Sequence, residues 1–195
     1  MQDLLRVCEE YCSEYCLSFN VKKSKVLIFG NAKRDGICNL VLNDKCLDFV
    51  DEWKYLGVTV VSGKSLSFSA RPALSSFYRA VNSIFSVLRK PDELVLMNLL
   101  YSNCVPILTY GAEAVEFSNA DLQKFNTAIN DAIRRIFSYQ RWESTRFLRQ
   151  SAGFPSIYEI FSRRSEVFLS RNLKGYNEAV IHSTVLLLSE RIEND

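Results

Sequence analysis

The side chains that could do chemistry in this chain fall into a thiol group and a basic group. Cys8, Cys12 and Cys16 stand four apart, so on a helix they share one stripe. Such a trio could ligate a metal only if another element closed the site. The single histidine, His182, is far away in sequence, and there is no Cys-x-x-Cys pair. A stripe of reduced, packed thiols is the simpler reading, and no metal is assigned. The basic group is divided in two. Residues 20–34 hold five bases and no acid, and Lys22, Lys23 and Lys25 crowd a turn that begins at Asn20. Residues 122–174 hold ten bases and four acids, with Arg134 and Arg135 placed opposite an apolar stripe. Between them, residues 92–121 hold five acids and no base. Two basic zones around an acidic, apolar middle suit a polyanion, although each zone alone is also what a solvated face looks like. Two-metal phosphoryl chemistry needs carboxylates that converge on the metals. No Asp-Asp pair occurs, and Asp48 and Asp51 lie close together only on a hairpin. No nucleophile–base constellation stands out either.

The elements that must carry these residues change character along the chain. Leu4, Val7, Cys8, Tyr11, Cys12 and Tyr15 repeat at helical spacing and predict a helix over 3–15. Its Cys8, Cys12 and Tyr15 stripe is expected to cover a short apolar strand at 26–29. Strands follow at 39–42 and 46–50 around Asn43-Asp44-Lys45, where Asn and Asp tolerate the left-handed backbone of a tight hairpin. Residues 53–61 read as a third strand, with Gly57 allowing a bulge or a close backbone approach. Everything beyond is helical. A helix over 72–88 stops at Arg89-Lys90-Pro91, and Asp92 caps a second that runs to about 110. That second helix is apolar nearly all round and is expected to be central. Ser118 or Asn119 caps a third, with Leu122, Phe125, Ile129, Ile133 and Ile136 inward. A short helix from Ser144 or Thr145 ends at Gly153, another starts at Pro155 and runs to about 173, and a last covers 176–191.

The fold class expected is α+β, mainly α, with a small antiparallel hairpin or sheet followed by a helical bundle. The domains divide at 1–63 and 64–195. A chain of 195 residues, 48% hydrophobic and 24% charged, can build such a core, and 7 Gly and 4 Pro leave little room for long linkers. No cationic and apolar leader opens the chain, and no apolar run is long enough to span a bilayer. An intracellular protein, cytoplasmic or nuclear and without a membrane partner, is expected.

Several motifs stand in order along the chain. Asn20-x-x-Lys23-Ser24 leads into the apolar run at 26–29, and Trp53-Lys54-Tyr55-Leu56-Gly57-Val58 closes the same unit. Downstream come Pro106-Ile107-Leu108-Thr109-Tyr110-Gly111-Ala112-Glu113, then Arg134-Arg135-Ile136, then Gly153-Phe154-Pro155. This series resembles the end of the palm and the thumb of the reverse transcriptases of non-LTR (LINE- and jockey-like) retrotransposons, and it covers nearly the whole chain. Ser24 stands where Thr is usual, and Phe117 stands near the place of an aromatic, often Trp.

The resemblance implies a palm edge with a primer-grip-like hairpin over 1–63 and a thumb-like domain over 64–195. Intact, such a protein is an RNA-directed DNA polymerase that uses Mg2+ and deoxynucleotides. The family's paired aspartates belong to a Tyr-x-Asp-Asp turn just upstream of this point. The chain alone is therefore expected to carry no cofactor and to be inactive as a polymerase. The lysine matching Lys23 lies near the incoming nucleotide, where it could neutralise or protonate the leaving pyrophosphate. Asn20, Lys22 and Lys25 would sit beside it at the nucleic acid. Tyr55, Leu56 and Gly57 would hold the primer end, and Arg134 and Arg135 would contact phosphates of an RNA–DNA template–primer duplex. The remainder of the reverse transcriptase is the other implied partner. Plainer alternatives remain open: an exposed turn lysine at Lys23, palm–thumb packing at Tyr55 to Gly57, and solvated helix surface at the arginines. The rival reading of the whole chain is a helical protein-interaction remnant with no nucleic-acid role.

Overall fold

The computed structural model describes residues 1–31, 39–88, 91–113, 115, 117–174 and 180–181. Lys33 and Arg34, the stop at Arg89-Lys90, Glu116, His182 and, apart from the helical residues 180–181, the helix expected over 176–191 lie outside the described residues. The architecture is α+β and mainly helical, with small, mostly antiparallel sheets, and it divides into two compact units, Met1–Ser69 and Ala70–Asp195.

The first unit opens with α1 (Gln2–Glu14), which ends where Cys16 turns left-handed at φ 54°. Its periodicity is helical as read, but its packing is not. No residue of α1 is fully buried, and Leu4, Val7, Tyr11 and Tyr15 are each about 60% exposed. α1 meets β2 (Val41–Leu42) along a polar seam, and Cys8 and Cys12 of the stripe expected to cover 26–29 are half-buried. The Gln2 amide donates to the Val41 carbonyl and accepts from the Val41 N–H, both at 2.8 Å, and the Glu9 carboxylate accepts from the Asn43 N–H. β1 (Lys25–Val26) is two residues long and pairs in parallel with β4 (Asp48–Phe49), so it offers little apolar face. β2 instead presents an unpaired backbone edge that Gln2 can satisfy.

β2 and β3 (Lys45–Cys46) form an antiparallel hairpin that turns at Asn43-Asp44, with φ of 49° and 56°. Side-chain oxygens that can bond the local backbone make this left-handed pair tolerable there. Residues 53–61 are not one strand but a second hairpin. β5 (Glu52–Tyr55) and β6 (Val58–Val61) run antiparallel and reverse at Leu56-Gly57, with φ of 47° and 87°. A leucine in the first left-handed position hides the usual Asn-Gly signature. β7 (Ser67–Phe68) adds to β6 and completes a three-stranded sheet in the order β5-β6-β7. Among the described residues of this unit, Leu42 and Leu47 are the fully buried side chains.

The second unit is helical. α2 (Arg71–Val87) has Pro72 in its first turn, where a missing N–H costs nothing. α3 (Glu93–Leu99) is capped by Asp92, whose carboxylate accepts from the Leu94 N–H at 2.8 Å. A π-helical turn over Leu100–Cys104 joins it to α4 (Val105–Leu108). Pro106 follows directly, and the wider turn relieves the clash a proline ring makes with the preceding turn. Ser118 caps α5 (Asn119–Ile136), α6 is Arg146–Ser151, and α7 (Ile157–Leu173) starts on a Ser156–Glu159 capping box.

The core is built on α2, the α3–π–α4 rod, α5 and α7. Phe77 from α2, Met97 from α3 and Phe125 from α5 are fully enclosed, and Ala128 and Ala132 keep the α5 face low enough for neighbours to approach. Phe117, Phe125 and Phe161 form an aromatic cluster with centroids 5.2, 6.0 and 6.3 Å apart. The rod is not buried all round as its composition predicts: Leu96, Met97, Leu100, Cys104, Val105 and Leu108 face inward, while Leu94 and Val95 are exposed.

Thr109 ends α4 fully buried, and its hydroxyl has no hydrogen-bond partner among the described residues. Its carbonyl is used, accepting from Arg164 Nη1 at 2.8 Å. Thr109→Val keeps the shape and removes the unpaired hydroxyl, so it is expected to stabilise this unit by about 1 kcal/mol. Urea unfolding followed by helix circular dichroism checks it; a loss of stability would show that the hydroxyl is satisfied.

Candidate nucleic-acid interface

The turn at Asn20 is built by its own polar groups. Val21–Lys23 forms a single 3-10 turn, with the Asn20 side chain accepting from the Lys23 N–H at 3.2 Å. The Ser24 hydroxyl donates to the Asn20 carbonyl at 3.0 Å. This is a local cap, and a threonine would serve Ser24's bond equally well. Lys22 and Lys23 are exposed, and neither ammonium makes a hydrogen bond or ion pair among the described residues. A lysine so placed can carry charge to a phosphate without first breaking an existing bond.

Lys25 is different. Its ammonium pairs with Asp48 across the β1–β4 ladder and lies 5.5 Å from the centre of the Trp53 ring, and only 14% of its side chain is exposed. A cation held by a carboxylate and an aromatic face is a structural tie between β1, β4 and β5. It is not a spare phosphate ligand. Tyr55, Leu56 and Gly57 form the exposed tip of the β5–β6 hairpin, with Tyr55 64% and Leu56 74% exposed. Asn20, Lys22 and Lys23 thus come together in one turn, and Tyr55 to Gly57 in one tip.

Arg134 and Arg135 sit in the last turns of α5, where positive charge suits the helix C-terminus. The free surface pair that the sequence implies is not what forms. Arg134 is 20% exposed in its side chain; it donates to the Asp131 carboxylate at 2.9 Å and to the Glu143 carbonyl at 3.1 Å. Arg135 is exposed, but its guanidinium lies 4.1 Å above the Phe85 ring and donates to the Asn82 side chain at 2.6 Å. Both arginines brace α5. Only the Asp131 pairing, three residues back on α5, is visible in helical spacing; the other partners stand on α2 and in the loop after α5.

Other bases of the same zone are also engaged. Arg164 ties α7 to the end of α4 through the Thr109 carbonyl and lies 3.5 Å from Glu113. Arg149 donates to the Asn126 side chain at 3.3 Å, and the Tyr101 hydroxyl donates to the Pro155 carbonyl at 3.4 Å. Tyr101 stacks on Phe154 at 4.1 Å, and burial drives its hydroxyl pKa up to about 12 despite Arg149. A cleft of about 440 Å3 beside it, lined by Arg146, Arg149, Phe154 and Ser156, lies at the start of α7. Glu159 fills the anion position there: bonds from the Ser156 backbone and hydroxyl hold its carboxyl below the usual range. Asp121 is likewise held low; burial pushes it up, but hydrogen bonds from Lys124 and Ser118 outweigh that.

What the sequence reading passed over is the loop between α5 and α6. Trp142 is 82% and Phe147 77% exposed, and each follows an exposed arginine, Arg141 and Arg146. The signal was present as two Arg–aromatic dipeptides in a stretch without apolar periodicity.

Asp48 is taken by Lys25, and among the described residues no three His, Cys, Asp or Glu side chains come together to hold a metal ion. Cys8 and Cys12 are half-buried and Cys16 is exposed. Among the described residues no helix is long and apolar enough to cross a membrane. Comparison of the chain with family models, with curated proteins and with solved structures finds no match.

Proposed function

We propose that this chain is the palm-edge and thumb part of a non-LTR retrotransposon reverse transcriptase, which contacts template–primer nucleic acid and supplies none of the metal-binding carboxylates. The observation that carries this reading is the Asn20 turn. The Asn-x-x-Lys-Ser motif folds into a capped turn that leaves Lys22 and Lys23 exposed and, among the described residues, unpaired. The exposed Tyr55-Leu56-Gly57 tip and the helical unit that follows it agree in order with the resembled enzymes. On this reading Lys23 stabilises charge at a leaving pyrophosphate, and Lys22 and the hairpin tip meet the primer strand. Mg2+ belongs to the intact polymerase, bound by residues other than these.

A second reading has its own support. The α1 stripe of Leu4, Val7, Tyr11 and Tyr15 is exposed, and Lys25 and Arg134 are committed within the fold. Both facts suit a protein-interaction remnant. The two readings separate on binding of a labelled RNA–DNA hybrid, measured by anisotropy over a range of salt.

Template–primer contact predicts sequence-independent binding of micromolar strength or weaker. Lys22→Glu with Lys23→Glu should lower the salt slope by about 0.9 for each phosphate no longer neutralised. With magnesium and deoxynucleotides the same protein should extend no primer. A folded protein that ignores the hybrid at low salt favours the interaction remnant, and chelator-sensitive extension would refute the assignment of the acids.

A further inference from the structure

We propose that the loop and helix start over residues 139–149 form a stacking platform for single-stranded nucleic acid, with Trp142 and Phe147 as base-stacking faces and Arg141 and Arg146 as phosphate ligands. This surface lies wholly within the helical unit and does not depend on the palm and thumb reading.

The loop is anchored, so the exposure of its aromatics is a built property. Thr145 is 4% exposed, and its hydroxyl donates to the Asn130 side chain at 2.8 Å. The Arg134 guanidinium holds the Glu143 carbonyl, and the Tyr139 N–H donates to the Arg134 carbonyl at 2.8 Å. Gln140 and Glu143 close a turn, with the Glu143 N–H on the Gln140 carbonyl at 3.1 Å and the Glu143 carboxylate on the Gln140 N–H. Leu148 packs against the core. These ties fix the backbone, and the large apolar side chains left most exposed are Trp142 and Phe147. The fixed backbone thus carries both rings exposed to water.

Charge selects the partner. Arg141 and Arg146 are exposed, and neither guanidinium has a partner among the described residues. The one acid in the segment, Glu143, has its carboxylate turned back onto Gln140. The surface therefore offers cation then ring, twice, at Arg141-Trp142 and Arg146-Phe147. A single strand offers phosphate then base, repeatedly, and every base has a face that can stack. A duplex hides those faces. A bilayer would need a continuous apolar face, whereas two rings separated by an anchored turn make two points. An acidic peptide would satisfy the arginines and leave the rings bare.

The test uses the full chain and short oligothymidylate and oligouridylate. Stacking should quench Trp142 fluorescence, and the quench should survive Trp53→Phe and vanish in Trp142→Ala. Trp142→Ala and Phe147→Ala should each weaken binding between about fivefold and 150-fold, the usual range for one stacked base. Trp142→Phe should keep most of the affinity. Arg141→Glu with Arg146→Glu should lower the salt slope by about 0.7 for each single-strand phosphate no longer neutralised. Circular dichroism should stay unchanged throughout, since these side chains are solvent-exposed. Binding unaffected by Trp142→Ala overturns the proposal, and so does equal binding of polyglutamate or of anionic vesicles. An RNA–DNA hybrid run in parallel keeps the readings apart. Single-strand binding through Trp142 with no hybrid binding leaves this inference standing and removes the template–primer one; hybrid binding with an oligothymidylate signal indifferent to Trp142 does the reverse.

Discussion

Phe125→Ala lowers the stability of the helical unit by about 3–5 kcal/mol, the range for removing a fully enclosed phenylalanine. Phe125 has no exposed surface and packs its ring on those of Phe117 and Phe161, so α5, α7 and the segment before α5 meet on it. Ala128 and Ala132 on the same face are already minimal and cannot expand into the cavity. The loss should be read from the helix circular-dichroism transition in urea. With Trp142 replaced by Phe, Trp53 in the other unit gives a separate fluorescence signal. A shift below about 1 kcal/mol would mean that the site collapses around the smaller residue and is not close-packed.

Arg134→Glu is expected to cost about 2–3 kcal/mol, whereas Lys22→Glu and Lys23→Glu should each stay within about 0.5 kcal/mol of the parent. The Arg134 guanidinium is four-fifths covered and satisfies both Asp131 and the Glu143 carbonyl. A glutamate there would face Asp131 with like charge and abandon the carbonyl, and one tie of the loop after α5 would go with it. Arg135→Glu removes an exposed cation–ring pairing and a bond to Asn82 and should cost about 1 kcal/mol. Weakened nucleic-acid binding in an Arg134 variant would therefore be confounded by damage to the fold, which a thermal melt would reveal as a lower midpoint. The Lys22 and Lys23 variants are the clean probes.

The helical unit was largely legible in the sequence because its signals are local. Apolar spacing marks α2 and α5. Asp92 and Ser118 are caps in fact as in pattern, and Gly153 ends α6 at φ 71° with the Phe154 N–H returned to the Arg149 carbonyl. The first unit was legible only where a turn announced itself, at Asn43-Asp44. Strands of two residues carry no usable period, and Leu56 in a left-handed turn contradicts its own propensity. The site was harder still. Whether a base is free depends on partners that periodicity does not show: Asp48 and Trp53 for Lys25, the Glu143 carbonyl for Arg134, Phe85 for Arg135. Lys22 and Lys23 differ from Lys25 by a neighbouring strand, not by anything in the turn itself.

The π turn at Leu100–Cys104 explains why the rod after Asp92 read as apolar on every side. Inward residues at 96, 100, 104 and 108 are four apart, and on a straight α-helix each step of four advances by about 40°. Continued through the whole rod, that drift would smear the stripe around the cylinder. The π turn takes up about one extra residue, worth about 100° of rotation, and sets the phase back. The rod behaves as two α-helices in phase across one supernumerary residue. Shortening the chain by one residue inside that turn would leave both inward faces aligned and confront Pro106 with an ordinary helical turn. Deleting Asn98 instead, with the π turn kept, would swing Leu96 and Met97 out of register with Cys104, Val105 and Leu108.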